Sequence, residues 1–307
     1  MSEFLMKPKI DFAFKEIMMN EKARIGFLST MLNLNPKDIK SSQILNTNLR
    51  KIHEDEKQGI LDVRILMNNN TEIDIEIQLA PLSVWADRSL FYISKMYTEQ
   101  ISSGQDYSVF KKCVNISILD FVLFPEEQEF YSCFHIREDT RHTLYTDKME
   151  FHRLELPKLP KELKEDNSNI LLWAKFINAE RKEDFELLAE KDPYIGSAYQ
   201  QLQVISQDKQ KRLEYETREK AIRDHNQLLL EAEQRGILLG KQEGIQLGKQ
   251  EGIQLGKQEG IQLGKQEGIQ EEAIRIAKDL LSLNVPDDII ISSTHLTTEQ
   301  LNALKFD

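Results

Sequence analysis

The chain is poor in the residues that build disulfide scaffolds, zinc fingers and membrane spans. It has two cysteines, Cys113 and Cys133, and neither has a Cys or His partner at metal-ligand spacing, so neither a disulfide framework nor a zinc site is expected. Its six histidines are scattered. His135 and His152 fall in strand-like segments and read as surface or hydrogen-bonded residues, because no spacing links them. No apolar run approaches the ~20 residues that a membrane span needs. The opening MSEFLMKPKIDF lacks the charged, apolar and small-residue succession of a secretory signal, which sets the expectation of a cytoplasmic protein without a membrane partner.

An excess of basic residues is also missing. The net charge of −11 argues at first against nucleic acid, because neutralising phosphates calls for a basic surface. Its distribution weakens that argument. Residues 1–123 hold 15 basic and 16 acidic residues, and the remainder holds 25 and 35, so the acidity lies in the C-terminal part and the N-terminal part has room for a local basic groove. With 307 residues, 40% hydrophobic and 30% charged, the chain is long enough for one or two packed domains and an appendage.

From Asp11 to Asn33, Phe14, Ile17, Met18, Ile25, Leu28, Met31 and Leu32 recur at helical intervals, and Asp11 is placed to cap the start of one helix. A weaker, extended segment follows at Ile44–Ile52. In GILDVRILMNNNTEIDIEIQL, Leu61, Val63 and Ile65 alternate with Asp62 and Arg64. Ile73, Ile75 and Ile77 alternate with Asp74, Glu76 and Gln78 on the far side of three asparagines. That pattern predicts a β-hairpin. With the asparagines as the loop, Met67 pairs with Thr71 and Asp62 stands opposite Glu76. Asp74 and Gln78 share the face of Glu76. Two opposed carboxylates repel, so this face is either solvated or occupied by a cation, and for a hairpin alone the solvated face is the ordinary reading.

The segment Ala86–Gly104 reads as a helix with Arg88, Tyr92, Lys95 and Glu99 on one face, a stripe that by itself reads as solvated. CVNISILDFVLF then reads as a strand internal to a sheet. The order is helix, strand, hairpin, helix, strand.

At this point the chain resembles the PD-(D/E)xK nucleases, and more narrowly the Rpn family of recombination-promoting nucleases and transposases. The matching pieces are DFAFK (Asp11, Phe14, Lys15), GILDV with Asp62, IEIQ with Glu76 and Gln78, RSLFYISKMYTEQ, and GQDY with Gly104 and Tyr107, over about residues 7–124. The resemblance implies an α/β fold, a restriction-endonuclease-like αβββαβ core with a mixed sheet followed by a helical C-terminal region. It also implies metal-dependent hydrolysis of DNA phosphodiesters. Asp62 and Glu76 would hold Mg²⁺, with Mn²⁺ able to substitute and the Ile77 carbonyl as a third oxygen ligand. The metal would activate water, polarise the phosphate and offset charge on the leaving oxygen. The third motif position, usually lysine, is Gln78; its amide can orient the attacking water or a phosphate oxygen but carries no charge. Lys95 could supply that charge. The general base stays unassigned, a second water or the substrate phosphate being the readings, and Lys15, Glu16, Tyr92 and Gln100 are further candidates. The rival reading is a catalytically inactive DNA- or protein-binding module that assembles through its C-terminal helices.

EFYSCFHIR and KMEFHRLELPKL read as further strands, extending the sheet or forming a lid. Helices follow from Asn167, including a long charged one over Gln207–Gly236 that reads as a packing or self-association module, so a homo-oligomer is expected. The octad GKQEGIQL then places Gly at every fourth residue from Gly236 to Gly268. Each helical Gly costs ~1 kcal/mol relative to Ala. An octad turns a helix by about 800°, so equivalent positions drift ~80° per unit and no apolar seam persists. The repeat is expected to be an extendable marginal helix or a spacer, with a β-solenoid less in keeping with one Ile-x-Leu pair per unit. Two short helices are expected after it, the second capped by Thr297 or Thr298. The expected domains are 1–160 nuclease-like, 161–235 helical, 236–270 repeat spacer and 271–307 C-terminal helical hairpin.

Overall fold

Alternating isoleucines and acids build the middle of a six-stranded sheet in the computed structural model, which describes residues 4–49, 59–164 and 167–305. The strands are β1 (Ser42–Leu45), β2 (Val63–Met67), β3 (Glu72–Gln78), β4 (Cys113–Leu119), β5 (Tyr131–Arg137) and β6 (Leu144–Glu155). Their spatial order is β1-β2-β3-β4-β6-β5. β3–β4 and β4–β6 are parallel and the other pairs antiparallel, which makes the sheet mixed. The β2–β3 hairpin has the predicted register: Val63 faces Ile75, and the Met67 N–H donates to the Thr71 carbonyl at 3.0 Å. Asn70 closes its turn at φ 61°, a left-handed conformation that Asn tolerates better than most residues.

In-register neighbours share a face, so the sheet has two unlike sides. On one, Ile73, Ile75, Ile77, Val114, Ile116, Ile118 and Leu154 join a large core. The helices contributing to it are α1 (Asp11–Met18), α2 (Glu21–Met31), α4 (Asn169–Asn178), α5 (Lys182–Lys191) and α6 (Pro193–Gln207). On the other, β3 and β4 present Asp74, Glu76, Asn115 and Ser117, all buried. This side is covered by α3 (Trp85–Thr98), whose Tyr92, Ile93 and Met96 pack with Leu49, Leu61 and Cys113.

Several local expectations change for identifiable reasons. The segment Asp11–Asn33 is two helices. Asn20 is extended and its side chain accepts from the Ala23 N–H, capping α2. The buried Arg24 donates to the carbonyls of Met18 and Met19 at the end of α1 and to Ser42, so the break leaves those acceptors satisfied. Asp11 is not the cap of α1; that position is Ile10, and Asp11 lies in the first turn. The segment expected to be extended over Ile44–Ile52 forms β1 and an Asn48–Ile60 bridge, while residues 50–52 lie outside those described. The α3 helix ends before Gly104, and of its Arg88–Glu99 stripe Tyr92 and Lys95 are buried while Arg88 and Glu99 are partly exposed. Between α2 and α6, Gly26 permits close approach: a Cβ there would lie 2.1 Å from Tyr194 Cβ.

The chain forms two compact units, Met1–Asn226 and Gln227–Asp307. The helix α7 (Lys209–Ser282) begins in the first, where Tyr215 is buried and accepts from the Lys7 N–H. In the second unit the octad repeat is helical, and its Ile245, Leu247, Ile253 and Leu255 are exposed. Where two short helices are expected, the end of α7 packs with α8 (Asp287–Thr294) and α9 (Thr298–Leu304) through Ala277, Ile290, Leu296 and Leu301. Thr297 and Gln300 form the capping box of α9.

Candidate active site

The start of β2 and the body of β3 bring three carboxyls together beneath α3. β2 begins at Val63, so Asp62 stands just before the strand and opposite Glu76, as the hairpin register requires. The Asp62 N–H donates to Glu76 Oε1 at 3.1 Å, and the Ile77 N–H donates to Asp62 Oδ2 at 2.9 Å. The Gln78 carbonyl accepts from the Asp120 N–H on the β4 side, so the Ile77 backbone N–H and carbonyl leave β3 on the opposite side, past the end of β2 and toward Asp62.

Asp74 is the third carboxyl, and it is completely buried beside Glu76, which is 2% exposed. One Asp74 oxygen accepts from Asn115 Nδ2 at 2.6 Å, and Asn115 Oδ1 accepts from Arg153 Nη1 at 2.7 Å. Arg153 also donates to Ser89 on α3. The other Asp74 oxygen, Oδ1, has no standing donor, and a hydrogen bond between the Asp74 and Glu76 carboxyls requires one of them to carry a proton. Arg88 on α3 supplies nearby positive charge, with Nη2 3.8 Å from Glu76 Oε2 and Nε donating to the Tyr92 hydroxyl.

Burial dominates the proton affinities here. It raises Asp62 to about 6, opposed chiefly by the Ile77 N–H. It raises Asp74 to about 7, opposed by the hydrogen bond from Asn115. Burial, then the charges of Asp74 and Asp62, push Glu76 to about 11. Arg153 is pushed down to about 10 by burial, partly offset by Asp74. Three desolvated carboxyls with an orphaned oxygen and one half-exposed arginine form a cluster short of positive charge. An all-oxygen donor set of this kind fits a hard divalent cation.

A cleft of about 310 Å³ opens beside the cluster, lined by Asp11, Asp62, Ile77, Gln78, Leu79 and Ala80 together with Arg218, Ile222 and His225 of α7. Gln78 Nε2 donates to the Ala80 carbonyl at 2.9 Å. A second cleft shares Asp11, Asp62 and Arg218 and adds Lys15 and Glu16. Glu16 is paired with Lys211, and Gln100 bonds to Lys111 and Cys113 at the far end of α3. Lys95 is 7% exposed and lies about two turns beyond Arg88 along α3. The structure therefore brings together Asp62, Asp74, Glu76, Ile77 and Gln78 and adds Arg88, Asn115, Arg153 and Arg218. Asn115 and Ser117 had a sequence signal, a period-two polar pattern inside an otherwise apolar strand; Arg153 and Arg218 had none, since only tertiary packing delivers them.

A family model described as PD-(D/E)XK nuclease family transposase matches residues 8–232, a span that contains every residue of this cluster and both clefts. No curated protein and no solved structure matches the chain.

Proposed function

Because the chain belongs to the PD-(D/E)XK nuclease family transposases, we propose that it is a metal-dependent endonuclease that hydrolyses phosphodiester bonds in DNA. The observation that carries this reading is the convergence of the Asp62 and Glu76 carboxyls across the β2–β3 hairpin, with Asp74 beside them. Asp62 and Glu76, with the Ile77 carbonyl, are the proposed ligands of Mg²⁺, or of Mn²⁺ in its place. When bound, such a cation activates water and stabilises charge on the phosphate and the leaving oxygen.

The remaining roles belong to the chain's own groups. Gln78 lines the cleft, and its amide is anchored on the Ala80 carbonyl, which suits it to orient a water or a phosphate oxygen. Arg88 holds the positive charge nearest Glu76, and Lys95 is the second candidate for charge supply. Arg218 and His225 of α7 line the same cleft as Asp62, Arg218 lying 3.6 Å from Asp11, and offer cationic or hydrogen-bonding partners to a phosphate there. Asp74, Asn115 and Arg153 are positioning residues, since their hydrogen-bonded chain fixes the β3 face on which Glu76 stands. Self-association through the C-terminal helices is part of the proposal. It is supported by the exposed Leu228, Leu229, Leu230, Ile237, Leu238 and Leu239 on α7.

Purified full-length protein is expected to nick or cut plasmid DNA with Mg²⁺ or Mn²⁺, and Asp62→Ala and Glu76→Ala are expected to lose at least ~100-fold of that rate. Equal cutting by wild type and both variants would remove the catalytic assignment. DNA binding without cutting in all three would favour an inactive binding module.

A further inference from the structure

The edge hairpin β5–β6 carries a second cluster of metal-ligating side chains. Its antiparallel register sets Cys133 opposite His152 and His135 opposite Glu150. Because side chains alternate along a strand, all four leave the same face of the hairpin. In the β4–β6 pairing, Glu150 and His152 align with Val114 and Ile116, whereas Arg153 aligns with Ser117. The cluster therefore lies on the opposite side of the sheet from Asp74 and Glu76.

The geometry is close to that of a coordination site. Ligand atoms of Cys133, Glu150 and His152 lie within 4.8 Å of one another. His152 Nε2 is 2.6 Å from Glu150 Oε1, and His135 Nε2 is 2.9 Å from Glu150 Oε2. His135 Nδ1 is 4.0 Å from Cys133 Sγ. The groups behind these atoms are also organised: the Tyr131 hydroxyl is 2.8 Å from His152 Nδ1, and Lys112 Nζ is 2.5 Å from Glu150 Oε2. Metal-ligating imidazoles and carboxylates are commonly held this way by a partner on their second polar atom.

A plain structural account covers part of the arrangement. Glu150 is satisfied by two imidazoles and an ammonium, and it is held at about 2 because hydrogen bonds from His152 and Lys112 outweigh the opposing effect of burial. That account does not call for a thiol at Cys133, which shares the Tyr131 hydroxyl with His152 and sits at an exposed position of the edge strand, directly opposite the buried His152 imidazole.

We propose that Cys133, Glu150 and His152, with His135 as the fourth donor within reach, form a site for Zn²⁺ or a similar borderline transition metal. Thiolate and imidazole donors select such ions, whereas the all-oxygen set proposed at Asp62, Glu76 and the Ile77 carbonyl suits a hard cation. The cation would join two antiparallel strands at the open edge of the sheet, which gives it a structural or regulatory role separate from phosphodiester hydrolysis. The inference is independent of the nuclease reading, because it uses no residue of the acidic cluster.

The test uses full-length, chelator-stripped protein and the metals alone. Wild type is expected to retain one equivalent of Zn²⁺ after gel filtration, and Co²⁺ in its place is expected to give a thiolate-to-cobalt charge-transfer band in the near ultraviolet. Cys133→Ser, at an exposed position and checked for folding by circular dichroism, should lose the band and weaken Zn²⁺ binding at least 10-fold. His135→Ala should weaken it less, and Asp62→Ala should leave it unchanged. Absence of the band in wild type, unchanged Zn²⁺ binding in both Cys133→Ser and His135→Ala, or loss of Zn²⁺ in Asp62→Ala would each overturn the proposal.

Discussion

A buried carboxyl that holds its proton makes folding and cation binding respond to pH in opposite ways. Asp74 rises from 3.8 to about 7 because burial disfavours its charge, so folding takes up a proton there. The stability it contributes is full below the unfolded value and is lost as pH rises through about 7. Glu76 acts in the same direction over a wider range, up to about 11. The cation-free protein is therefore expected to melt at progressively lower temperature as pH rises from the acid range to above neutrality. Glu76→Gln, which cannot ionise, should flatten that profile and raise the cation-free stability at neutral pH by ~1–3 kcal/mol, while abolishing stabilisation by Mg²⁺. Thermal melts with and without Mg²⁺ across pH measure both effects, and a Glu76→Gln profile parallel to wild type would show that Glu76 is not the group responsible. Protons and cations compete for Asp62, so less Mg²⁺ should be needed for half-maximal cutting above pH 6 than below it.

At the scale of elements, glycine has opposite consequences in two helices. Gly26 in α2 lies where a Cβ would meet Tyr194 Cβ at 2.1 Å, and both positions belong to packed helices. Gly26→Ala is expected to destabilise the first unit by ~1–3 kcal/mol through overpacking, read as a lower denaturation midpoint. Gly252 in the repeat has nothing within 4 Å of its would-be Cβ. Gly252→Ala should therefore stabilise α7 locally by ~1 kcal/mol, read as increased amide protection across the repeat. The same substitution differs in sign because one helix face is a packing surface and the other is exposed. The β2–β3 hairpin shows a related division. Alternation and the Asn turn fix its register locally, but only α3 on one side and β4 alongside turn the acidic face from a wet surface into a desolvated one.

At the scale of the molecule, the clefts are lined by residues no later than Asn226, and the octad repeat begins beyond that point. Removing one octad takes out eight residues, ~12 Å of helix and about two turns, without touching a residue of the acidic cluster. Deletion of one octad is expected to leave Mg²⁺-dependent cutting within about 2-fold of wild type. A loss of cutting in the plasmid assay would assign the repeat a part in catalysis. Identical units suit a segment whose length can vary, because the exposed Ile and Leu of each octad drift around the helix without forming a lasting seam.

Local pattern in the chain carries the hairpin register, the facing Asp62–Glu76 pair and the order of elements as far as β4, except for the break at Asn20 that makes two helices of Asp11–Asn33. Those features rest on local periodicity and turn chemistry, which any short window of chain carries. Packing between distant segments turned most of the Arg88 stripe inward, buried Asp74 on the face it shares with Glu76, and brought Arg153 and Arg218 near that face. It also decided that Cys133 meets His152, an encounter set by strand pairing across 19 positions rather than by any ligand spacing. Periodicity separates the faces of an element, but which face is dry depends on the layer packed against it, and that layer is supplied by distant parts of the chain.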